Sequence, residues 1–217
     1  MSKIYLILSL LLAVLVSCKK DTITAEEPTP IVEQPTTPDY FKLAVGNYWV
    51  YQRFQVDTDG VATPQNTFDS CYVEKDTIIN SRTFYKLYRP NSYGSPYIVT
   101  RDSSTCLINQ WGGVFSLTNY NNIYYTGYAT ASPTDTIAKA IFKVTSKDSL
   151  VSTPAGVFTT TNDQGIHYMY PAWRQYYRAI YSNKCYAAGV GIVLETLNII
   201  YGPPYTTERR LVRYHVN

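Results

Sequence analysis

A regular succession of short runs rich in aromatic and β-branched residues, separated by turn residues, constrains this fold most strongly. Asn47 to Val56 is the first run, and Asp57-Thr58-Asp59-Gly60 follows it as a hairpin turn, because glycine accepts a positive φ. Such runs recur about every eight to twelve residues, the spacing typical of antiparallel sheets. The pattern predicts an all-β domain built as a single antiparallel curved sheet, a half-barrel or open barrel.

The later strands follow from the same reading. Pro171 to Tyr181 is the ambiguous segment, because Trp173 and Ile180 fall at helical spacing after a proline. It predicts one short helix near residues 172–181. The predicted strands after the first turn cover residues 68–78, 82–89, 97–101, 105–111, 114–117, 123–128, 138–151, 157–161, 192–201 and 206–216.

The N-terminal residues read as a bacterial lipoprotein signal. Lys3 precedes an apolar run over residues 4–16, and Leu15-Val16-Ser17-Cys18 closes that run with a small residue and a cysteine. The run is too short for a helix that spans the roughly 30 Å apolar core of a bilayer. A retained membrane helix would need a longer run, and an ordinary secretory signal would not require the cysteine. We therefore predict a signal peptide over 1–17 and lipidation of Cys18, with palmitate among its acyl chains.

Residues 18–39 contain the lipidated cysteine and a tether. Four prolines, at 28, 30, 35 and 38, alternate with polar residues there, a composition that cannot bury enough apolar surface to fold. The β domain then covers residues 40–217. Lys19 follows the cysteine, which in the familiar sorting rule favours the outer membrane. Asp21 alone is a weak acidic tag, so both a periplasmic and an outward-facing domain stay open.

Composition limits the classes of partner. The formal net charge is +3, too balanced to predict nucleic-acid binding, and tyrosine is frequent at 22 residues of 217. Beyond Cys18, the widely spaced Cys71, Cys106 and Cys185 offer no zinc or redox motif. We favour buried thiols on strands, and one disulfide remains the alternative.

The ionisable residues form no recognisable catalytic set. His167 and His215 lack a nucleophile motif, and Glu195 is better explained as a partner for Arg209 or Arg213 in the final hairpin. The two aspartates of the first turn lack the further acidic ligands of a calcium loop. We therefore expect no enzyme activity, no cofactor and no metal.

Two tyrosine-rich segments are the remaining candidates for a binding surface. Tyrosine rings pack across strands, but they also stack on ligands and donate hydrogen bonds. The predicted partners are the membrane, through Cys18, and a glycan, a lipid or an envelope protein. The candidate ligand-binding residues are Tyr124, Tyr125, Tyr128, Tyr168, Tyr170, Trp173 and Tyr177.

Three segments resemble a group of uncharacterised envelope lipoproteins common in Bacteroidota. Residues 41–51 contain its Gly-Asn-x-Trp-x-Tyr opening strand, residues 154–158 its Pro-Ala-Gly-x-Phe turn, and residues 189–193 its Gly-Val-Gly-x-Val strand, in the same order. The resemblance implies a curved antiparallel sheet, a half-barrel like that of periplasmic lipoprotein carriers. It implies no activity.

Three functional hypotheses follow. The first is a non-enzymatic, lipid-anchored envelope lipoprotein that binds a partner or ligand through its aromatic surface. The second is a carrier that holds a lipid or another hydrophobic ligand in a half-barrel cavity of roughly 300–1,000 Å³. The third and most distant is a hydrolase that uses carboxylates, including Glu195.

Overall fold

Twelve antiparallel strands form one sheet in the computed structural model, which describes residues 39–90, 95–103, 106–109, 114–116, 120–174, 178–197 and 206–217. A 3₁₀ turn, Pro171–Trp173, is the one helical element in these ranges. The strands are β1 Tyr48–Val56, β2 Ala62–Ile79, β3 Arg82–Tyr88, β4 Tyr97–Ser103, β5 Cys106–Asn109, β6 Val114–Ser116, β7 Tyr125–Ser132, β8 Asp135–Thr153, β9 Gly156–Met169, β10 Ala179–Ala187, β11 Gly191–Leu197 and β12 Thr206–His215.

The order of the strands requires the sheet to curve. The order is β6-β5-β4-β3-β2-β1-β12-β11-β10-β9-β8-β7, so consecutive β6 and β7 form its two opposite edges. Eleven strand spacings of about 4.8 Å would separate these edges by roughly 53 Å in a flat sheet. Nine residue steps join Ser116 to Tyr125, and at about 3.6 Å per step they reach at most roughly 32 Å. The edges must therefore approach each other, which confirms the predicted curved, open sheet.

Contacts across the inner face confirm the same curvature. Phe115 on β6 stacks on Tyr186 of β10, with ring centroids 4.5 Å apart. Arg89, just after β3, lies 2.5 Å from Glu195 of β11, although four strand spacings of about 4.8 Å separate these strands along the sheet. The inner face is therefore the concave one, and the two halves of the sheet meet across it without closing a hydrogen-bonded barrel.

The main core lies on the inner face at the centre of the sheet. Trp49 and Tyr51 of β1 pack there with Leu211 of β12. The Trp49 Nε1 donates to the Val190 carbonyl at 2.6 Å. Gly191 has a φ of +106°, and a Cβ there would lie 3.3 Å from Trp49 Nε1. Only a glycine allows the backbone at position 191 to approach the Trp49 ring this closely.

Two long strands differ from the sequence prediction. β9 continues eight residues beyond the predicted end at Thr161, and β10 occupies Ala179–Ala187, part of which was assigned to a helix. The short helix expected near 172–181 is reduced to the turn Pro171–Trp173, and residues 175–177 lie outside the described ranges. Pairing overrides local preference here, because β10 is hydrogen-bonded to β9 along its whole length.

The remaining sequence predictions about local structure divide into three groups. The first turn is a hairpin, since the Asp57 carboxylate accepts from the amides of Asp59 and Val61. Cys71 and Cys185 are free thiols, and both are buried. The predicted signal peptide, Cys18 and the tether up to residue 38 lie outside the described residues.

Candidate ligand cavity on the inner face

The inner face borders a half-open cavity of about 690 Å³ between the two halves of the sheet. Strands β3 to β6 form one wall, and β7 to β10 with Tyr124 form the other. This volume is typical of pockets that hold one small molecule. The apolar side chains that line it are Leu87, Ile98, Leu107, Phe115 and Phe142, and the polar ones are Arg89, Thr100, Asn109, Asp163 and Lys184.

Aromatic rings close one end of this cavity. Phe115 and Tyr186 stack with an interplanar angle of 14°, and Phe41 meets each of them edge to face at 5.6 and 5.9 Å. A second cavity of about 60 Å³ lies beyond Phe41 and shares Leu87, among other residues, with the large one. Residues at the start of the domain thus form the end wall of the site.

Tyr124 and Asp163 form a hydrogen-bonded pair in the cavity wall. The Tyr124 hydroxyl donates to Asp163 Oδ1 at 2.6 Å. Burial raises the pKa of Asp163 above its ordinary value, which the nearby Lys184 and the Tyr124 hydrogen bond only partly oppose. Burial and the adjacent Asp163 raise the pKa of Tyr124 as well. The phenol therefore keeps its proton at neutral pH and acts as a donor.

Charged residues form a row across four neighbouring strands of the inner face. Asp163 on β9 is opposite Lys184 on β10. Lys184 is in turn opposite Glu195 on β11, and Glu195 is opposite Arg209 on β12. Directly opposed residues of antiparallel strands point to the same face. The register therefore places alternating charges side by side beneath the cavity.

Glu195 is the centre of a buried ion cluster. Arg209 Nε donates to Glu195 Oε2 at 2.6 Å, and Arg89 Nη2 lies 2.5 Å from the other carboxylate oxygen. Arg209 also donates to the Pro90 carbonyl at 3.0 Å. Burial alone would raise the pKa of Glu195, but the Arg89 and Arg209 guanidiniums outweigh it and hold the pKa well below its usual range. The predicted pairing of Glu195 with Arg209 across the final hairpin is confirmed.

His167 packs among neighbouring side chains of the sheet. His167 Nε2 lies 3.4 Å from Ser182 Oγ, its ring packs edge-on against Phe142, and burial lowers the pKa of His167. Within the described residues, no three His, Cys, Asp or Glu side chains converge on a possible metal position. Among the described residues, no helix has the length and apolar character that a membrane span requires.

The structure separates the seven sequence-predicted binding residues. Tyr124 and Tyr125 line the cavity, and the Tyr125 ring lies 5.7 Å from that of Phe142. Tyr128 and Tyr168 instead flank Lys139 in one cross-strand row of exposed residues, remote in register from the charged row. These two groups of tyrosines form no common site.

The remaining members of that set lie near the 3₁₀ turn. Tyr170 is exposed, while Trp173 packs on Ile137 and Met169 and donates through Nε1 to Asp135 Oδ1 at 3.1 Å. Tyr177 and the lipidation residue Cys18 lie outside the described residues. Trp173 thus has a packing role in the structure.

The sequence analysis did not select the three charged residues of the cavity, which are Arg89, Asp163 and Lys184. Asp163 and Lys184 lie in the parts of β9 and β10 that no strand signal identified. Arg89 was placed at the end of a strand without a partner. An alternation of acidic and basic residues on strands known to be neighbours would have identified the row, but this requires the strand order.

A second aromatic row crosses the outer face. Tyr48, Tyr72, Tyr88 and Tyr97 occupy directly opposed positions on β1, β2, β3 and β4. The Tyr72 and Tyr88 rings stack at 4.9 Å with an interplanar angle of 23°. Because these rings cover each other's faces, they present edges to solvent, which favours a packing role over stacking on a ligand.

Two solved structures are similar to this chain. A protein from Bacteroides fragilis assigned as exported, with a YmcC-like fold, has a TM-score of 0.47 and 15% identity over 82% of this chain and 100% of that chain. A protein from Parabacteroides distasonis assigned as a lipoprotein has a TM-score of 0.45 and 15% identity over 84% of this chain and 100% of that chain. No protein-family profile matches the chain. No curated protein sequence matches it either.

Proposed function

We propose that this chain is a lipid-anchored, non-enzymatic protein of the cell envelope that holds one small amphipathic molecule in the cavity of its inner face. The observation that carries the proposal is the cavity itself, about 690 Å³ with both apolar and polar walls. A purely structural sheet would fill this space with side chains, since protein interiors pack closely. The cavity lies within the size range that the carrier hypothesis requires.

The sequence pattern at the N-terminus supports the envelope part of the proposal. Cys18 would carry the acyl chains, and residues 19–38 would tether the domain to the outer membrane. A protein fixed at a membrane surface meets amphipathic molecules that leave or enter the bilayer. The site chemistry agrees, because Phe142 and Leu107 offer apolar walls while Lys184 offers a polar contact.

A second candidate function uses the outer face. Tyr128 is 62% exposed and Tyr168 is 46% exposed, on either side of Lys139. Such a row suits a glycan or an envelope protein, in accordance with the aromatic-surface hypothesis. The two functions differ in which face a substitution must affect.

Native mass spectrometry tests the proposal on the mature chain without its acyl anchor, residues 19–217, purified from an envelope-containing host. The described residues belong to one compact unit, Thr37–Asn217, which this protein retains whole. We expect a reproducible small-molecule adduct that organic extraction removes. Ile98→Trp, which adds an indole inside the cavity, should remove the adduct.

Ile78→Trp is the matched control, because Ile78 is 76% exposed. It should retain the adduct. An adduct that persists in Ile98→Trp but is lost in Tyr128→Ala or Tyr168→Ala would contradict the cavity proposal and favour the outer face. An adduct-free wild-type chain that also takes up no added amphiphile would refute the cavity function outright.

A further inference from the structure

Lys184 is the cavity cation without a counter-ion of its own. It lines the cavity from β10 and is half-buried there. Among the residues that the structure describes, its ammonium makes neither a hydrogen bond nor an ion pair. Its opposed neighbours Asp163 and Glu195 act on it only through longer-range attraction. A cation withdrawn from water in this way gains when an anion binds to it.

The charges around Lys184 do not cancel. Glu195 is engaged by two guanidiniums, those of Arg89 and Arg209. Asp163 accepts the short hydrogen bond from Tyr124. Three cations therefore face two carboxylates, and one positive charge is left over at the polar part of the cavity. Attraction between this charge and a ligand is strengthened by the lower dielectric of a partly enclosed site.

The opposite wall of the cavity has a different chemistry. Leu87, Ile98 and Leu107 come from three successive strands, β3, β4 and β5, and offer aliphatic surface. Phe115 adds aromatic surface to this wall, and Phe142 adds it to the wall that carries Lys184. A ligand that satisfies both walls needs an apolar body and a charged end. The volume suits one such molecule with a single chain, in the range of drug-sized ligands.

We infer that the cavity binds a single-chain amphiphile with an anionic head group, and that the Lys184 ammonium holds this head group. This inference rests on the proposed cavity function and specifies its ligand class. The head group can be a carboxylate or a phosphate, since both accept charge-assisted hydrogen bonds from an ammonium. The apolar chain lies against Leu107 and Phe142 and away from the ion cluster of Glu195.

Binding of four twelve-carbon probes to the mature soluble chain tests this assignment. The probes are dodecanoate, dodecyl phosphate, dodecanol and dodecyltrimethylammonium, with dodecanol used below its solubility limit and the ionic probes below their micelle concentrations in calorimetry. We expect the anionic probes to bind about tenfold more tightly than dodecanol, because a charge-assisted hydrogen bond is added. The ratio of carboxylate to phosphate affinity identifies which head group the site prefers.

Lys184→Gln should remove the preference for anionic probes, so that they bind that variant no more tightly than dodecanol does. Lys184→Arg should retain the preference, because the positive charge remains. Lys139→Gln is the matched control on the outer face and should behave as wild type. Circular dichroism and the thermal midpoint of each variant verify that the sheet is intact.

The outcomes separate the two proposals. Equal affinity for dodecanol and the anions, unaffected by Lys184→Gln, overturns the head-group inference and leaves the cavity function standing. Tightest binding of dodecyltrimethylammonium also overturns the inference. Failure of every probe to bind, together with an adduct-free native mass, overturns both.

Discussion

Glu195 accepts both guanidinium groups that reach the floor of the cavity. Arg209 is 1% exposed and depends on this carboxylate for its charge balance, and the Arg209 guanidinium also lies 5.1 Å over the Tyr51 ring. Arg89 brings the end of β3 across the inner face to the same carboxylate. One side chain thus connects β11, β12 and β3, which are not all neighbours in the sheet.

Glu195→Gln should lower the free energy of unfolding by about 3–5 kcal/mol, because removing one partner leaves buried cations uncompensated. Urea denaturation at pH 7 measures the change. Glu74→Gln is the control, since Glu74 is 35% exposed in its ion pair with Lys86, and such pairs contribute about 0–1 kcal/mol. Equal effects of the two substitutions would contradict the assigned role of Glu195.

Wild type and Glu195→Gln also give the pH dependence of the stabilisation by Glu195. The pKa of Glu195 is lower in the folded state than its ordinary value of 4.5, so the folded state binds fewer protons there. Its stabilisation is fully present above about pH 4.5 and is lost as the pH falls toward the folded-state pKa. The difference between wild type and Glu195→Gln should therefore shrink from pH 5 to pH 3. Asp163 has a raised pKa and contributes in the opposite sense, but it is common to both proteins.

The extents of β1 and β9 show which strands could be predicted from the sequence and which could not. Residues 47–56 predicted β1 almost to the residue, because aromatic and β-branched side chains end there at a strong turn signal. The second half of β9 was missed, since Asn162, Asp163 and Gln164 have low strand propensity. Their polar groups are satisfied by neighbouring strands, as where Asn162 donates to Asn183. Long-range pairing of this kind leaves no local signal.

At the scale of elements, the short strand β6 contributes the Phe115 ring that closes one end of the cavity. Phe115→Ala should release β6 and β5 from β10, because the stack on Tyr186 and the edge contact with Phe41 are both lost. Truncation of a buried phenylalanine costs about 3–5 kcal/mol. Amide hydrogen exchange should therefore increase in Cys106–Asn109 and Val114–Ser116 while the centre of the sheet keeps its protection.

Phe68→Ala is the matched control for this substitution. Phe68 is 52% exposed on β2, so its removal should change exchange little and stability by about 0.5 kcal/mol or less. Unchanged exchange in β5 and β6 of Phe115→Ala would mean that the sheet edge is held by something other than this aromatic contact.

At the scale of the whole molecule, the candidate site could be predicted only in part. The count of tyrosines drew attention to Tyr124 and Tyr125, which line the cavity, and equally to Tyr128 and Tyr168, which face outward. Composition reports how much aromatic surface exists and not which face it occupies. The cavity arises from the strand order, which brings β4 and β5 opposite β8 and β9, and no local pattern encodes that order.

The predicted lipid anchor determines where the whole chain is located, and it leads to the last prediction. If Cys18 carries the acyl chains, the native protein partitions into the detergent phase of a Triton X-114 separation, and Cys18→Ala partitions into the aqueous phase. Two or more acyl chains are needed for stable anchoring, so loss of the single attachment residue should be sufficient. Cys106→Ala is the control and should remain in the detergent phase, because Cys106 lies on β5 within the domain.

The Cys18→Ala substitution should not alter ligand binding in the cavity. If residues 19–38 form the predicted tether, about twenty extended residues would reach up to roughly 65 Å, and we expect the cavity to keep its shape without membrane contact. Cys18→Ala should therefore bind dodecanoate as the soluble chain does. Detergent-phase partition of Cys18→Ala would contradict the anchor at this residue. If Cys18→Ala partitions into the aqueous phase and no longer binds dodecanoate, ligand binding in the cavity depends on the lipid anchor.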